Sequence, residues 1–274
     1  MKVLTKSHIN QQIKERKDFS DKNDYGHAFI IAGSKGKMGA AVISAKACLR
    51  SGVGLFTVCV PHDERFILQT SIPEAMLKMR ESNEYELNKY SAIGIGPGIG
   101  IDMFSEEMLI HCITNFKKPL LLDADVLTIL AINKKLLNKI PKNTIITPHH
   151  HEFDRLFGNH SNNDDRIKTA IIKSKEYGII IILKNHVTVI ISTDKLFYNT
   201  TGNSGLAKGG SGDALTGIIT AFLAQGYKPL NAAKLGIYLH GLAADITLKE
   251  QSMESMLITD VIENLGKAFK ITMH

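Results

Sequence analysis

The chain has 274 residues, 44% apolar and 22% charged, with a formal net charge of +6 and a pI near 9.0, ordinary values for a globular protein with a sizeable core. Its basic residues are spread along the chain without zinc-finger spacing, its apolar runs fall short of a membrane span, and it has no tryptophan for a stacking platform, so neither a nucleic acid nor a membrane is an expected partner. Cys48, Cys59 and Cys112 form no C-x-x-C pair and no even framework, and the polar N-terminal stretch lacks a signal h-region, so a cytoplasmic protein is expected.

Residues 1–24 read as a short amphipathic helix, with Thr5 as its cap, and a polar loop over 18–24. The apolar run Ala28–Ala32 predicts a buried strand that enters the glycine-rich turn Gly33-Ser34-Lys35-Gly36-Lys37-Met38-Gly39, and a small-residue helix follows through Ala47 and Leu49. Strand, glycine turn and helix are the grammar of a phosphate loop, yet neither a Walker A nor a G-x-G-x-x-G spacing is present. The turn either meets a ligand or only brings the helix close to the sheet.

Leu55–Val60 predicts the next strand, which Pro61 ends. Residues 62–90 read as a helix and a more polar stretch, with an edge strand near Ala75–Met79. Ala92–Gly96 predicts a strand and Pro97–Gly100 a loop at its carboxyl end, where open α/β sheets bind ligands; the alternative is a turn before a helix capped by Asp102. Pro119–Asp125 predicts a strand ending in two carboxylates. Asp123 and Asp125 share one side if the strand conformation continues. Such groups hold Mg²⁺, a substrate hydroxyl or a ribose, or else Asp125 caps the following helix.

Thr144–Pro148 predicts another strand and stop, followed by His149-His150-His151-Glu152. Consecutive histidines seldom converge on one ion, so a single histidine facing a substrate fits better than zinc, and Glu152 suits a helix start. Strands are predicted at 177–183, 189–191 and 195–199, with Lys184–Thr188 as a polar turn, giving a small antiparallel meander. Helices close the chain, the first over Pro229–Ala244 with His240 read as a packed residue. Alternation of strands and helices from 28 to 183 predicts one doubly wound domain spanning 1–274.

The stretch that organises this pattern is Lys208-Gly209-Gly210-Ser211-Gly212-Asp213, ahead of an apolar helix. Its glycines admit a tight turn, and the free N–H groups of the helix start form an anion site. Asp213 then stands where an oxyanion belongs, either as a general base for a hydroxyl that meets a phosphoryl group or as a loop cap.

Together these segments resemble the ADP/ATP-dependent NAD(P)H-hydrate dehydratases of the ribokinase-like superfamily. The resemblance runs through Asp24-Tyr25-Gly26-His27, Ala32-Gly33-Ser34 with Gly36, Gly39-Ala40-Ala41, Ser51-Gly52-Val53-Gly54-Leu55, Gly96-Pro97-Gly98-Ile99-Gly100, Leu122-Asp123-Ala124-Asp125, Thr147-Pro148-His149 with Glu152, Lys184 with His186-Val187-Thr188, Gly202-Asn203 to Asp213, and Leu215-Thr216-Gly217. It implies a three-layer α/β fold, with a mostly parallel central sheet, helices on both faces and a small antiparallel extension. It also implies repair of hydrated NADH and NADPH, the S epimer, in which water has added across the ring's C5–C6 bond. ADP, or ATP, phosphorylates the C6 hydroxyl with Mg²⁺ present; phosphate leaves and the double bond returns.

The resemblance assigns Asp213 as the base. It places Gly210, Gly212 and Asn203 at the phosphates, and Lys184, Asn185, His186, Val187 and Thr188 around the adenine nucleotide. Ala40, Gly100 and His149 become hydrate contacts, with Asp213 and Asp125 on the same side; no protein metal ligand is assigned. A homotetramer and functional pairing with an NAD(P)H-hydrate epimerase are implied as well. Two departures stand out: Pro148-His149-His150-His151-Glu152 replaces the family's Pro-His-Pro-Gly-Glu, and Lys184-Asn185 replaces Lys-Gly, where asparagine tolerates left-handed backbone. The rival readings are a ribokinase-like kinase for a vitamin-precursor alcohol, such as hydroxyethylthiazole or hydroxymethylpyrimidine, and a non-catalytic nucleotide-binding regulator.

Overall fold

A computed structural model of the chain describes residues 2–81 and 85–274; the polar stretch expected ahead of Tyr90 lies partly outside them. In chain order the elements begin with β1 (Lys2–Val3), α1 (Lys6–Asn10), β2 (His27–Ile31), α2 (Met38–Arg50), β3 (Leu55–Val60), α3 (Arg65–Ser71) and β4 (Met76–Met79). Next come β5 (Ala92–Ile95), α4 (Met103–Asn115), β6 (Leu120–Leu122), α5 (Asp125–Ile132), β7 (Ile145–Ile146), α6 (His150–Phe157) and α7 (Asn163–Tyr177). The chain closes with β8 (Ile180–Leu183), β9 (Val189–Ser192), β10 (Lys195–Tyr198), α8 (Ser211–Ala224), α9 (Pro229–Thr247), α10 (Ile258–Glu263) and α11 (Leu265–Met273).

All ten strands join one sheet in the order β1-β10-β9-β8-β7-β6-β5-β2-β3-β4. Pairing is parallel from β4 through β8 and antiparallel for β8–β9 and β9–β10, which is the expected meander. The alternation of β2 separates two cores. Ala28 and Ile30 belong to the cluster built with α2, α8 and α9, while Phe29 and Ile31 belong to the one built with α4 to α7. Among the described residues no helix is long and apolar enough to cross a membrane.

Several local expectations are met by side-chain chemistry. Thr5 accepts from the His8 amide at 3.3 Å, and Asp102 accepts from the Ser105 amide at 2.8 Å, so both are N-caps. Two findings depart from the sequence reading. Lys2–Val3, expected within the leading helix and loop, pairs in parallel with β10. The strand expected to carry both Asp123 and Asp125 stops at Leu122. There Ala124 turns left-handed, with φ 51° and ψ −120°, and the Val126 amide donates to the Asp123 carbonyl at 3.2 Å. This is a type II′ turn with alanine where glycine is normal, and it sends the two carboxylates to different partners.

The placement of α8 depends on close backbone approach. A Cβ added to Gly217 would collide with the Ser44 carbonyl and fall 2.9 Å from the Cys48 amide nitrogen, both on α2. On its other side, Thr220 of α8 sits against Gly94 of β5, leaving no room for a side chain there.

Gly217→Ala is therefore expected to cost about 1–3 kcal/mol by forcing α8 off α2, read as a lower urea midpoint; an unchanged midpoint would show that the two helices are not in backbone contact. Ala124→Gly relieves the left-handed strain and is expected to raise stability by about 1 kcal/mol in the same assay. A destabilised glycine variant would contradict the turn assignment.

Candidate active site

Two helix N-termini without side-chain caps lie side by side at the carboxyl ends of the strands. α2 starts after Lys37 and α8 starts after Gly210, which has φ 94°. A Cβ on Gly210 would stand 2.6 Å from Ile43 of α2, so the two helix starts are neighbours. Their free amides make a positive region suited to phosphate oxygens. Asp213 occupies the third position of α8, and the N-cap position is held by Gly210, so the loop-cap reading of Asp213 does not hold. Among the described residues its carboxylate accepts no hydrogen bond. Burial, then repulsion from Asp123, pushes its pKa up to about 6 against the opposing pull of Lys184, with Asp125 adding a further upward push.

Beneath the start of α8 lies an ion pair. Lys184 Nζ donates to Asp123 Oδ1 at 3.1 Å, and Thr216 Oγ1 donates to Asp123 Oδ2 at 2.8 Å. The Asp123 side chain is 1% exposed. A Cβ on Gly212 would lie 3.3 Å from Lys184 Nζ and 3.5 Å from Asp123 Oδ2, which brings Lys184, Gly212 and Asp123 together. Burial pulls the Lys184 pKa down, but Asp123, Glu152 and Asp213 outweigh it and the net shift is upward, so the ammonium stays charged.

On the other flank the loops at 33–37 and 96–100 are tied together. The Gly33 amide donates to the Pro97 carbonyl at 2.8 Å, and Arg80 donates to the Gly33 carbonyl. A Cβ on Gly98 would meet Ala40 at 3.1 Å, placing Ala40 beside this loop. Asp125 Oδ2 accepts from the Gly100 amide at 2.8 Å and lies 3.8 Å from Lys37 Nζ. Asp125 thus fixes the Gly100 loop and makes no capping bond to α5.

His149 is the N-cap of α6. Its Nδ1 accepts from the His151 and Glu152 amides at 3.1 and 3.4 Å, while Glu152 Oε2 accepts from the His149 amide at 2.8 Å. This capping box explains how His150 and His151 are accommodated: both sit in the first helical turn. An accepting Nδ1 places the ring proton on Nε2, which remains a donor. Burial, reinforced by Lys184 and the two neighbouring histidines, lowers the His149 pKa to about 4, so the ring is neutral near pH 7. His149 also bridges Lys184 in parallel, and the Lys184 amide donates to the Pro148 carbonyl at 2.9 Å. Among the described residues no group of three His, Cys, Asp or Glu forms a metal-ligand set.

The 184–188 turn leaves Asn185, His186 and Val187 exposed beyond β8. Asn185 does not use the left-handed backbone that its position invites. Its Oδ1 accepts from the His186 amide at 2.8 Å and its Nδ2 reaches Asn163 Oδ1 at 3.1 Å. Thr188 closes the turn through the Asn199 amide, which donates to its carbonyl at 3.0 Å. Asn203 is committed to its own loop: its Oδ1 accepts from the Gly205 amide and its Nδ2 donates to Asp245 Oδ1, both at 3.0 Å. Asp245 Oδ2 also accepts from the Gly202 amide at 2.8 Å, strapping the loop to α9. His240 of the same helix is packed, 6% exposed, as the sequence suggested.

Sequence reasoning placed Thr216 within the resemblance but gave it no role, and it missed Asp245. Thr216 carries a faint signal, three residues after Asp213 and so on the same helical side; Asp245 carries none. A cavity of about 740 Å³ at the far end of α8, lined by Lys14, Arg16, Tyr25 and Tyr227, is a separate feature. Two of its cations close helix ends: Lys14 Nζ donates to the Gly226 carbonyl at 3.0 Å and Arg16 donates to the Gly52 carbonyl.

The family described as NAD(P)H-hydrate dehydratase matches residues 28–267. An ADP-dependent (S)-NAD(P)H-hydrate dehydratase of Listeria monocytogenes is 33% identical, over 99% of this chain and 97% of its own. A bifunctional NAD(P)H-hydrate repair enzyme of Moorella thermoacetica is 32% identical over 96% of this chain, which spans about half (53%) of that relative's length. The crystal structure of the ADP/ATP-dependent NAD(P)H-hydrate dehydratase of Bacillus subtilis, co-crystallised with ATP and Mg²⁺, superposes with a TM-score of 0.89 at 30% identity, covering 99% of this chain and 98% of that one. Matched by the family over most of its length and by relatives and solved structures over nearly all of it, the chain belongs to the NAD(P)H-hydrate dehydratase family of the ribokinase-like superfamily.

Proposed function

We propose that the chain dehydrates the S form of hydrated NADH and NADPH at the expense of ADP, or ATP, regenerating the reduced dinucleotide. The observation that carries this reading is Asp213: a carboxylate without a hydrogen-bond partner among the described residues, beside the Gly212 amide at a helix N-terminus and next to the Lys184 ammonium. Such a group takes a proton from a hydroxyl whose oxygen then attacks phosphorus.

In this mechanism Asp213 removes the proton from the C6 hydroxyl. The C6 oxygen forms a bond to the terminal phosphorus of ADP, and AMP departs with the electrons of the broken P–O bond. The amides at the start of α8 and Lys184 hold the charge that develops on the phosphoryl oxygens. Phosphate then leaves C6, assisted by the ring nitrogen's lone pair, and loss of a proton from C5 restores the C5–C6 double bond. His149, neutral and donating through Nε2, with Ala40 and the Gly100 loop held by Asp125, orients the hydrate. The exposed 184–188 turn receives the adenine nucleotide, and Gly210 with Asn203 shapes the loop at its phosphates. The described carboxylates form no metal-ligand set of three, so the divalent cation would arrive on the nucleotide. Asp125 and Asp213 are the carboxylates that Mg²⁺ carried on the nucleotide would meet, and the ion supplies charge neutralisation at the phosphates.

The same proposal has residues 1–274 acting as one domain, supported by the single ten-stranded sheet, and assembling as a homotetramer. It includes pairing with an NAD(P)H-hydrate epimerase, supported by the bifunctional relatives, and a cytoplasmic setting, supported by three free, buried thiols.

Incubation of hydrated NADH with ADP or ATP tests the reaction: the reduced-nicotinamide absorbance should return, with AMP and phosphate formed in equal amounts from ADP. A stable phosphate ester without recovered absorbance would instead mark an alcohol kinase. Because Asp213 must be ionised to act, kcat/KM is expected to fall as pH drops below about 6, and Asp213→Asn should lose most turnover while keeping nucleotide affinity. A rate within a few-fold of the parent would exclude the base role. Stability should move the other way. A folded-state pKa raised from 3.8 to about 6 means that protonated Asp213 suits the fold and that stability declines as pH rises through this window. Asp213→Asn is thus expected to be more stable than the parent by up to about 3 kcal/mol at pH 7.5, with no advantage at pH 3.5. Urea unfolding at the two pH values measures this.

A further inference from the structure

Asp123 lies under the reaction site without facing it. Its carboxylate is 1% exposed, and both oxygens are occupied, Oδ1 by Lys184 Nζ at 3.1 Å and Oδ2 by Thr216 Oγ1 at 2.8 Å. Thr216 is fully buried on the second turn of α8, and its hydroxyl has one role visible in the structure, to clamp Asp123. Lys184 follows β8, and its ammonium rests 3.3 Å from where a Gly212 side chain would begin. A lysine ammonium has three N–H donors, and Asp123 takes one. Among the described residues the other two meet no acceptor, so they can meet phosphoryl oxygens beside the Gly212 amide. Leaving the pair is costly for Lys184, because a carboxylate excluded from water would then stand alone.

Resting on the phosphoryl-transfer reading above, we propose that Asp123, clamped by Thr216, is a positioning residue that fixes the Lys184 ammonium beside the Gly212 amide, so that the transferring group meets cation and amide together. Asp123 does not touch the nucleotide or the hydrate. It links β6, β8 and α8 through one carboxylate, so the cation and the anion-binding helix start keep a fixed separation. The repulsion between Asp123 and Asp213 also makes the base sensitive to the pair.

The test is a cycle of Asp123→Asn, Lys184→Met and the double variant, assayed with hydrated NADH and ADP. Asp123→Asn keeps the shape and the Thr216 contact. It is expected to lower kcat at least ten-fold with little change in KM for ADP, and to move the acid limb of kcat/KM to lower pH. In the Lys184→Met background the same substitution should change kcat less than two-fold. Independent, multiplicative losses, or an unaltered kcat and acid limb in folded Asp123→Asn, would overturn the proposal. If Asp123→Asn does not fold, Thr216→Val carries the test, with a several-fold loss of kcat that Thr216→Ser restores and that disappears in Lys184→Met; a loss persisting in Lys184→Met overturns it. Wild-type turnover reports separately on the functional reading. Should the wild type show none, the same cycle is read by calorimetry on AMP with inorganic phosphate. There the Asp123→Asn defect in phosphate affinity should vanish in Lys184→Met, and a defect that persists would sink the positioning role alone.

Discussion

Everything at the site depends on how closely α8 can lie against its neighbours. Gly217 lets its backbone touch α2 near Ser44 and Cys48, and Thr220 fills the space left by Gly94 on β5. With both contacts made, the first turns of α2 and α8 open on the same region and their unpaired amides act together. The helix that supplies those amides also carries Asp213 and Thr216, so one packing decision places the helix start, the Asp213 carboxylate and the Thr216 hydroxyl that meets Asp123.

The electrostatics follow from that geometry. Around a single lysine stand Asp123, Glu152 and Asp213. In a poorly solvated site this excess of negative charge is unfavourable, and it is expressed as an Asp213 that holds its proton until about pH 6 and a Glu152 whose pKa is also raised, chiefly by burial. His149 takes no part in that balance, since its capping bonds and low pKa keep it neutral.

Much of the fold was legible because local signals agreed with tertiary ones. Leu55–Val60 was bounded by a glycine pair and Pro61, and the observed strand has the same limits. The caps at Thr5 and Asp102 follow from residue type and position. Glycine spacing ahead of Asp213 marked the tight turn that opens α8, where Gly210 takes φ 94°. The rest required contacts that no spacing encodes. The sequence pattern puts Asp123 and Asp125 on one strand, yet Ala124 adopts a conformation that alanine seldom takes, which propensity cannot foresee. Asp245 lies 42 residues beyond Asn203 on another helix and becomes relevant only when α9 packs beside the loop. Lys2–Val3 became a strand because β10 offers it a partner nearly two hundred positions away, a tertiary effect that outweighs local preference.

That first strand has a consequence for colloidal behaviour. Without it, β10 would present a row of open backbone groups at the rim of the sheet, a template for pairing with another chain. Lys2–Val3 covers it with a strand of two residues, both exposed and one of them a lysine. So short and charged an outer edge offers a stranger little to zip onto. α1 anchors this cover, with Asn10 Nδ2 donating to the Thr272 carbonyl at 2.8 Å and the Met273 carbonyl at 3.1 Å in α11. The opening residues thereby guard the molecule against edge-to-edge aggregation while standing far from its chemistry.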